Sequence, residues 1–200
     1  MSMRFFRLTG FALLLLIGGC STTAPPVRSQ IARSYYDSIS MAGRLSVQYQ
    51  QNGKPQSMQG KFSWTQSGEM TSIALLSPLG QTMAQIEIAP GKASLQQAGE
   101  PLRQATDIGE LTTQTLGWPM PVAGLRNWLQ GFALEDKGNK QSAIPDTQSG
   151  FSSDGWQVNY VSWQGEADTP AFPKRIDLER ATPDAGVIGL RIVIDSWQPK

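Results

Sequence analysis

The chain has 200 residues, with 17 Lys and Arg against 16 Asp and Glu, one cysteine and no histidine. Because the charges nearly balance and neither sign forms a block, the composition argues against a nucleic-acid-binding protein and against a polybasic membrane patch. The absence of histidine excludes Ser-His-Asp and Cys-His nucleophile systems, and with a single cysteine it excludes zinc sites built on imidazole or thiolate.

Residues 1–19 have the form of a secretory signal peptide. Arg4 and Arg7 precede an apolar run at 11–17, which is far shorter than the ~20 residues that span a bilayer. Ile17-Gly18-Gly19-Cys20 then resembles the lipobox of bacterial lipoproteins, in which the thiol takes a diacylglycerol and the freed amine a third acyl chain. We therefore predict that residues 1–19 are removed and that Cys20 carries the lipid. The alternative is an ordinary signal peptide with an incidental cysteine.

Removal of 1–19 takes away Arg4 and Arg7, which leaves fifteen cations against sixteen acids and a net charge of about −1. Each buried methylene contributes ~0.8 kcal/mol and two or more chains anchor stably, so a triacylated Cys20 is a permanent anchor. By analogy with enteric-type bacteria, Ser21 in place of Asp favours the outer membrane, with the domain facing the periplasm. No second thiol is available for a disulfide.

The mature chain divides into a tether and one domain. Residues 20–29 are small, polar and proline-rich, which is typical of a flexible linker. The remaining residues, 30–200, suit a single domain with a sizeable core. Ile31, Tyr35 and Ile39 recur every four residues and predict a short amphipathic helix at its start.

From Gly43 the hydrophobic period changes to two, and Asn52-Gly53 is the sequence most typical of a tight hairpin. The return strand runs to Trp64. Further strands are predicted at 73–76, 82–88 and 93–97, separated by a turn at 77–80 and by Pro90-Gly91. This succession predicts an antiparallel meander with short connections.

Two helices interrupt the strands. Asp107 followed by Glu110 resembles a capping box and begins the first helix, which Trp118-Pro119 ends. Pro121 suits the first position of a second helix, and Gly131 lies just past its end. Residues 136–154 are polar and turn-rich and predict a mobile loop, after which strands resume at 156–160, 176–178 and 190–194.

An apolar sheet face of this size must be covered, and only a few short helices are available to cover it. The predicted fold class is therefore mainly β with short α: a curved antiparallel sheet that forms an incomplete, half-open barrel under a helical lid. Such a barrel encloses either a packed core or an apolar cavity, and hydrophobic period alone does not distinguish the two.

Several segments in this order resemble the LolB family of outer-membrane lipoprotein receptors. The segments are GRLSV from Gly43, FSW from Phe62, PLG from Pro78, GWPMPVAGLRNWLQG from Gly117, GWQVNY from Gly155, FPKRIDL from Phe172 and LRIVIDSW from Leu190. The resemblance runs from about residue 30 to 198, and it includes the lipobox that the related soluble carrier family, LolA, lacks.

The resemblance implies a receptor without enzymatic activity. It would accept other lipoproteins from the periplasmic carrier LolA, hold their acyl chains in an apolar cavity and release them into the inner leaflet of the outer membrane. Its partners would be LolA, cargo lipoproteins and outer-membrane phospholipid, and it would act as a monomer. It would need no metal and no cofactor beyond the lipid on Cys20 and the acyl chains of its cargo.

Aromatic side chains are the candidates for the cavity lining. Of the six tryptophans, at 64, 118, 128, 156, 163 and 197, we take Trp64, Trp118, Trp128 and Trp156 as the cavity candidates, with ordinary core burial as the alternative for each. Arg44 lies among apolar strand positions. It either hydrogen-bonds the lid or occupies a solvated face.

Pro78, Leu79 and Gly80 form the candidate membrane-insertion loop. Proline fixes the backbone angle φ that the start of a turn requires, and glycine readily adopts the positive φ that its end requires, so Leu79 lies at a hairpin tip. An apolar tip on a membrane-tethered protein is a candidate for entering lipid, and the family resemblance places a functional apolar residue in this loop. The alternative is that Leu79 folds back over the barrel mouth.

Two other classes of function stay open at this point. One is a structural lipoprotein whose barrel is simply packed, such as an accessory of outer-membrane assembly or a cell-wall contact. The other is a hydrolase that uses a carboxylate pair or a Ser-Lys arrangement, although no spacing of the acids indicates it.

Overall fold

The computed structural model describes residues 31–134, 140–145, 150–166 and 168–200. The predicted signal peptide, Cys20 and the predicted tether lie outside the described residues. Among the described residues, no helix is long and apolar enough to cross a membrane.

Ten strands form one antiparallel sheet that is curved but not closed, which confirms the predicted fold class. The first group runs β1 (Ser38–Gln51), β2 (Lys54–Ser67), β3 (Met70–Leu76), β4 (Thr82–Ala89), β5 (Lys92–Gln97) and β6 (Arg103–Ala105). After α1 (Ile108–Leu116) and α2 (Val122–Trp128) come β7 (Phe132–Leu134), β8 (Lys140–Ser142), β9 (Gly150–Ser153), β10 (Trp156–Gln164), β11 (Phe172–Thr182) and β12 (Gly186–Pro199).

The strand order across the sheet is β6-β5-β4-β3-β2-β1-β12-β11-β10-β9. The chain thus forms two meanders, joined where β1 pairs with β12. The two free edges, β6 and β9, are linked through the chain by the segment that contains both helices. β7 and β8 form a separate two-stranded sheet.

Local chemistry explains the hairpin and the bend at the centre of the sheet. Asn52 and Gly53 both have positive φ, 53° and 71°, as a two-residue type I′ turn requires. A bulge interrupts the β1–β12 register between Ala42 and Gly43. A Cβ on Gly43 would lie 2.1 Å from the Val193 carbonyl oxygen, so only glycine allows this close approach.

The core lies between the concave face of the sheet and the helices. Alternate residues of each long strand are buried, as on Trp64 of β2, Ile86 of β4, Ile176 of β11 and Ile192 of β12. The opposite positions face solvent, so period two on the strands gives one apolar and one polar face.

Two predictions about elements are wrong. Residues 31–36 form neither helix nor strand, and Ile39 lies fully buried in β1 while Ile31 is exposed. The amide of Tyr36 donates to Gln130 Oε1 at 2.9 Å, and Gln130 Nε2 donates back to the Tyr36 carbonyl at 3.0 Å. These tertiary hydrogen bonds hold the segment in an irregular, non-helical conformation. The region 136–154 is also more than a loop, because it contains β8 and β9.

Candidate functional site

The turn between β3 and β4 presents an isolated apolar side chain to solvent. The Gly80 amide donates to the Ser77 carbonyl at 2.9 Å, and Gly80 has φ of 89°. The Ser77 and Gln81 ends are joined by a further backbone hydrogen bond of 2.8 Å. Pro78 and Leu79 therefore occupy the tip, where Leu79 is 89% exposed. It does not fold back over the barrel.

A cavity of about 110 Å³ opens beside this turn, between α1 and strands β1 to β5. We call it the outer cavity. Leu76 and Met83, on either side of the turn, line it together with Leu116 of α1. The turn with Leu79 at its tip therefore lies next to the cavity.

A second space of about 50 Å³, the inner cavity, lies next to the outer cavity and beneath the helices. The two cavities share five lining residues: Leu45, Met58, Leu75, Leu116 and Met120. Every residue that lines the inner cavity is hydrophobic: Leu45, Val47, Met58, Phe62, Trp64, Ile73, Leu75, Leu116, Trp118, Met120, Leu125, Leu129, Leu190 and Ile192. The lining of the inner cavity therefore suits apolar groups.

The four candidate tryptophans divide into two pairs. Trp64 and Trp118 line the inner cavity, whereas Trp128 and Trp156 are equally buried but belong to neither cavity lining. Trp156 packs against Trp118 with ring centroids 6.3 Å apart. Leucine and methionine form much of the lining. For Trp128 and Trp156 the structure therefore shows ordinary core burial, the alternative that the sequence left open.

The helix over the outer cavity is capped as its sequence predicts but is weakly tied to the sheet. The Glu110 amide donates to Asp107 Oδ1 at 2.9 Å, and Gly117 ends the helix with φ of 79°. Among the described residues, one long hydrogen bond, of 3.5 Å from Arg103 Nη1 to Thr115 Oγ1, joins α1 to a strand of the sheet. Packing of apolar side chains is the main contact that holds α1 in place.

The second helix is tied far more firmly. Arg126 Nη1 donates to the Glu69 carbonyl at 2.8 Å and to Thr71 Oγ1 at 2.9 Å, and Nη2 donates to the Gly68 carbonyl. At the other end, the Tyr160 hydroxyl donates to the Trp128 carbonyl at 2.9 Å. Burial raises the pKa of Tyr160 well above its ordinary value, so this hydroxyl stays protonated and remains a donor.

Arg33 is a buried cation that the sequence reasoning missed. Its guanidinium donates to the carbonyls of Gly131, Ala143 and Ala171, and its Cζ lies 4.5 Å from the centre of the Trp163 ring. Burial lowers its pKa from the ordinary value, which the nearby Tyr160 partly opposes. The segment before β1 is thereby fixed to the chain that follows α2.

Arg44 does not hydrogen-bond the lid, so of its two possible roles the solvated one is correct. It is exposed on the outer face of β1, where Nε donates to Asp195 Oδ2 at 2.9 Å and Nη2 to Oδ1 at 3.0 Å. The hydrogen bond to Asp195 raises the pKa of Arg44.

The described part of the chain contains no cluster of three or more His, Cys, Asp or Glu side chains able to hold a metal ion. Its most strongly coupled carboxylates, Asp177 and Asp195, lie on the outer face in ion pairs. The notable chemistry of the site is thus an apolar interior beside an apolar tip.

Comparison with known proteins assigns the chain to a family. The family model "Outer membrane lipoprotein LolB" matches residues 37–197. An outer-membrane lipoprotein LolB of Cupriavidus taiwanensis is 37% identical, over 92% of this chain and 93% of that protein. One of Thiobacillus denitrificans is 33% identical, over 94% of both chains.

Among solved structures, a DUF1329 family protein from Desulfovibrio piger has a TM-score of 0.47 at 11% identity, covering 82% of this chain and 86% of that one. The chain belongs to the LolB family of outer-membrane lipoproteins, whose members are lipoprotein localisation factors.

Proposed function

We propose that this outer-membrane lipoprotein accepts other lipoproteins from the periplasmic carrier LolA and inserts them into the inner leaflet of the outer membrane. It acts as a monomer and without catalysis. The acyl chains of the cargo enter the outer and inner cavities, and the tip at Leu79 enters the bilayer during release. The observation that carries this proposal is the pair of adjoining, mainly apolar cavities that lies beside the exposed leucine.

The size of the transfer problem explains why a protein is needed. Three chains of roughly fifteen methylenes, at ~0.8 kcal/mol each, cost roughly 35 kcal/mol on exposure to water. Free diffusion of such a molecule across the periplasm is negligible. A receptor must instead cover the chains during the exchange and hold them less strongly than the bilayer does.

The cavities are too small for this cargo without rearrangement. Their volumes are about 110 and about 50 Å³, whereas an apolar void of about 150 Å³ admits a single benzene. Acyl chains therefore require a wider interior. Because α1 is held mainly by apolar packing, its displacement from the sheet is the least costly way to widen the cavity.

Cys20 supplies the anchor in this proposal, since three acyl chains keep the domain at the membrane that receives the cargo. It lies outside the described residues, as does the tether that follows it. The bulk of the domain, from Ile31 onward, provides the cavity and the tip.

Depletion of the protein in cells, followed by membrane fractionation, tests the proposed function. Other lipoproteins should then fail to reach the outer membrane. A copy with Ala84→Phe should not restore their localisation, because Ala84 lines the outer cavity and the ring would occupy it. Gln85→Phe is the matched control, since the neighbouring side chain on β4 points to solvent. It should restore localisation fully.

Filling a core position costs about 1–3 kcal/mol, so the level of each variant in the outer membrane is measured alongside. Leu116→Trp fills the same cavity from the α1 side and should behave as Ala84→Phe does. Full restoration by both cavity variants would show that the acyl chains bind elsewhere. Unchanged lipoprotein localisation after depletion would contradict the proposed function as a whole.

A further inference from the structure

The outer face of the sheet carries a basic groove directly beside the exposed tip. The groove is open to solvent, has a volume of about 370 Å³ and is lined by Arg44, Lys61 and Arg191 together with Pro78. Its remaining lining residues are uncharged, so three cations face it and no carboxylate does. At ~30 Å³ per water molecule, the groove has room for a phosphate group with its hydration.

The pairing of β2, β1 and β12 gathers cations that lie far apart in the sequence, so the surface around the groove has a local surplus of positive charge that composition does not reveal. Two carboxylates of the outer face each serve two cations: Asp195 pairs with Arg44 and Lys174, and Asp177 pairs with Arg175 and Arg191. Lys61 is exposed and forms none of the ion pairs found among the described residues. The five cations therefore outnumber the two carboxylates that pair with four of them.

The groove, the outer cavity and the tip converge at one place in the fold. Gln59, Gly60 and Lys61 line both the groove and the outer cavity. Pro78 lines the groove, and the next residue, Leu79, is the most exposed large hydrophobic side chain among the described residues. A membrane that the tip enters would therefore place its headgroups against the groove and its acyl region toward the cavity mouth.

We propose that the basic groove binds the phosphate headgroups of anionic phospholipid and thereby orients the cavity mouth toward the bilayer. This inference rests on the proposed function, in which the tip enters the membrane. Basic side chains beside an apolar one are the combination that binds anionic lipid surfaces, since the apolar group partitions and the cations attract. An acidic protein surface would suit the cations but would leave the solvated leucine unexplained.

The test uses the mature lipidated protein, held by its anchor in nanodiscs without cargo. Gln81→Cys introduces a thiol beside the tip, and a fluorophore on it reports contact with lipids that carry a quencher on the upper acyl chain. Nanodiscs of phosphatidylcholine are compared with nanodiscs in which about a fifth of the lipid is phosphatidylglycerol. Quenching should be stronger with phosphatidylglycerol, and the difference should vanish in 1 M salt, where the Debye length is about 3 Å.

Each unit of positive charge near an anionic surface favours binding by about five-fold. Lys61→Glu changes the charge by two units, so it should lower the ratio of phosphatidylglycerol binding to phosphatidylcholine binding by about 25-fold. Lys61→Arg should keep it. Lys92→Glu is the matched control, because it makes the same change of net charge at an exposed site on β5, outside the groove. It should retain the preference, and thermal unfolding should show all three variants folded.

The contrary outcomes separate the headgroup proposal from the proposed function. Equal quenching on both lipids would overturn headgroup binding and leave membrane entry by the tip intact. Absence of quenching on either lipid would overturn entry by the tip and the groove proposal with it. If Lys61→Glu keeps the lipid preference but receives cargo poorly from LolA, the groove is a docking surface for the carrier and the proposal is wrong.

Discussion

At the scale of single residues, Leu79 differs from the other exposed hydrophobic side chains in its degree of exposure and in its place beside the cavity. Nine large hydrophobic side chains are exposed among the described residues, and Leu79, at 89%, stands well above the others. It lies at the tip of a turn closed by three hydrogen bonds between Ser77 and Gly80 or Gln81. The side chain therefore projects from a fixed support next to the cavity mouth.

Leu79→Glu should separate receipt of cargo from its delivery. The side chain lies outside the cavities, so the change should alter the free energy of unfolding by no more than roughly 0.5 kcal/mol. The leucine gains roughly 2 kcal/mol on burial in an apolar phase, whereas a carboxylate must be neutralised or kept at the interface. The variant should co-purify with cargo received from LolA, yet deliver little of it to liposomes in a flotation assay.

Leu102→Glu is the matched control for this experiment. Leu102 is also an exposed leucine, at 54%, but it precedes β6 and lines neither cavity. It should load and deliver as the unmodified protein does. Normal flotation of cargo with Leu79→Glu would exclude a role of the tip in the membrane, and a defect in loading would assign the tip to the cavity mouth.

Arg33 shows what residue patterns fail to predict. It lies between the apolar positions Ile31 and Tyr35, and the predicted helix would have placed it on a solvated face. Its partners are backbone carbonyls at 131, 143 and 171, and backbone groups leave no trace in side-chain periodicity. Only the three-dimensional structure identifies such a residue.

At the scale of elements, α2 is shaped by one glycine. Gly124 lies in the middle of the helix, where glycine costs ~1 kcal/mol relative to alanine. A Cβ on Gly124 would lie 2.3 Å from Cζ2 of Trp128, whose ring is 1% exposed. The indole ring thus packs directly on the backbone of its own helix, and the glycine is required for that contact.

Gly124→Ala should therefore destabilise the protein even though it improves helix propensity. Overpacking a well-filled core costs about 1–3 kcal/mol, which exceeds the ~1 kcal/mol gained from propensity. Chemical denaturation should show a lower midpoint with an unchanged slope. Gly189→Ala in β12 is the control, since a Cβ there meets nothing within 4 Å, and its midpoint should not fall. An unchanged or higher midpoint for Gly124→Ala would show that Trp128 moves aside freely.

Elements were predictable where local chemistry decides them. The turn at Asn52-Gly53 and the cap at Asp107 each depend on a few adjacent residues, and both agree with the structure. The first helix ends just before the predicted Trp118-Pro119, at Leu116, with Gly117 as its cap. The prediction of a helix at 31–39 is wrong because the four-residue spacing of its apolar residues is coincidental. Hydrogen bonds from the distant Gln130 determine the conformation of this segment instead. The four-residue spacing in a short segment is weak evidence when tertiary contacts compete with it.

At the scale of the whole molecule, the two helices differ in how they are attached. Arg126 and the Trp128 carbonyl fix α2 to the sheet, whereas the one hydrogen bond from α1 to the sheet among the described residues is 3.5 Å long. The outer cavity lies under α1. The cavity should consequently widen by movement of α1 while α2 keeps its place.

Distances between spin labels can detect this movement. One label is placed at Ser63 on the outer face of β2 and the other at Thr113 of α1, both through cysteine substitutions at exposed positions. Loading with cargo should lengthen the Ser63–Thr113 distance by several ångströms. The control pair, Ser63 with the exposed Ala123 of α2, should change much less. Equal displacement of both helices would show that the lid moves as one body.

The sheet leaves a seam between its two edges, β6 and β9, and in the described part of the chain the two helices lie in the segment that connects these edges. A closed barrel has to break rungs of its hydrogen-bond ladder before it can enlarge, and each broken rung inside an apolar interior is costly. Here the hydrogen bonds between strands stay intact when α1 moves. The free-energy cost of opening therefore comes mainly from the apolar contacts that α1 loses. At roughly 25 cal/mol per Å², every 100 Å² exposed costs about 2.5 kcal/mol. Side chains such as Leu116 and Met120 can therefore tune the ease of opening without any change to the scaffold.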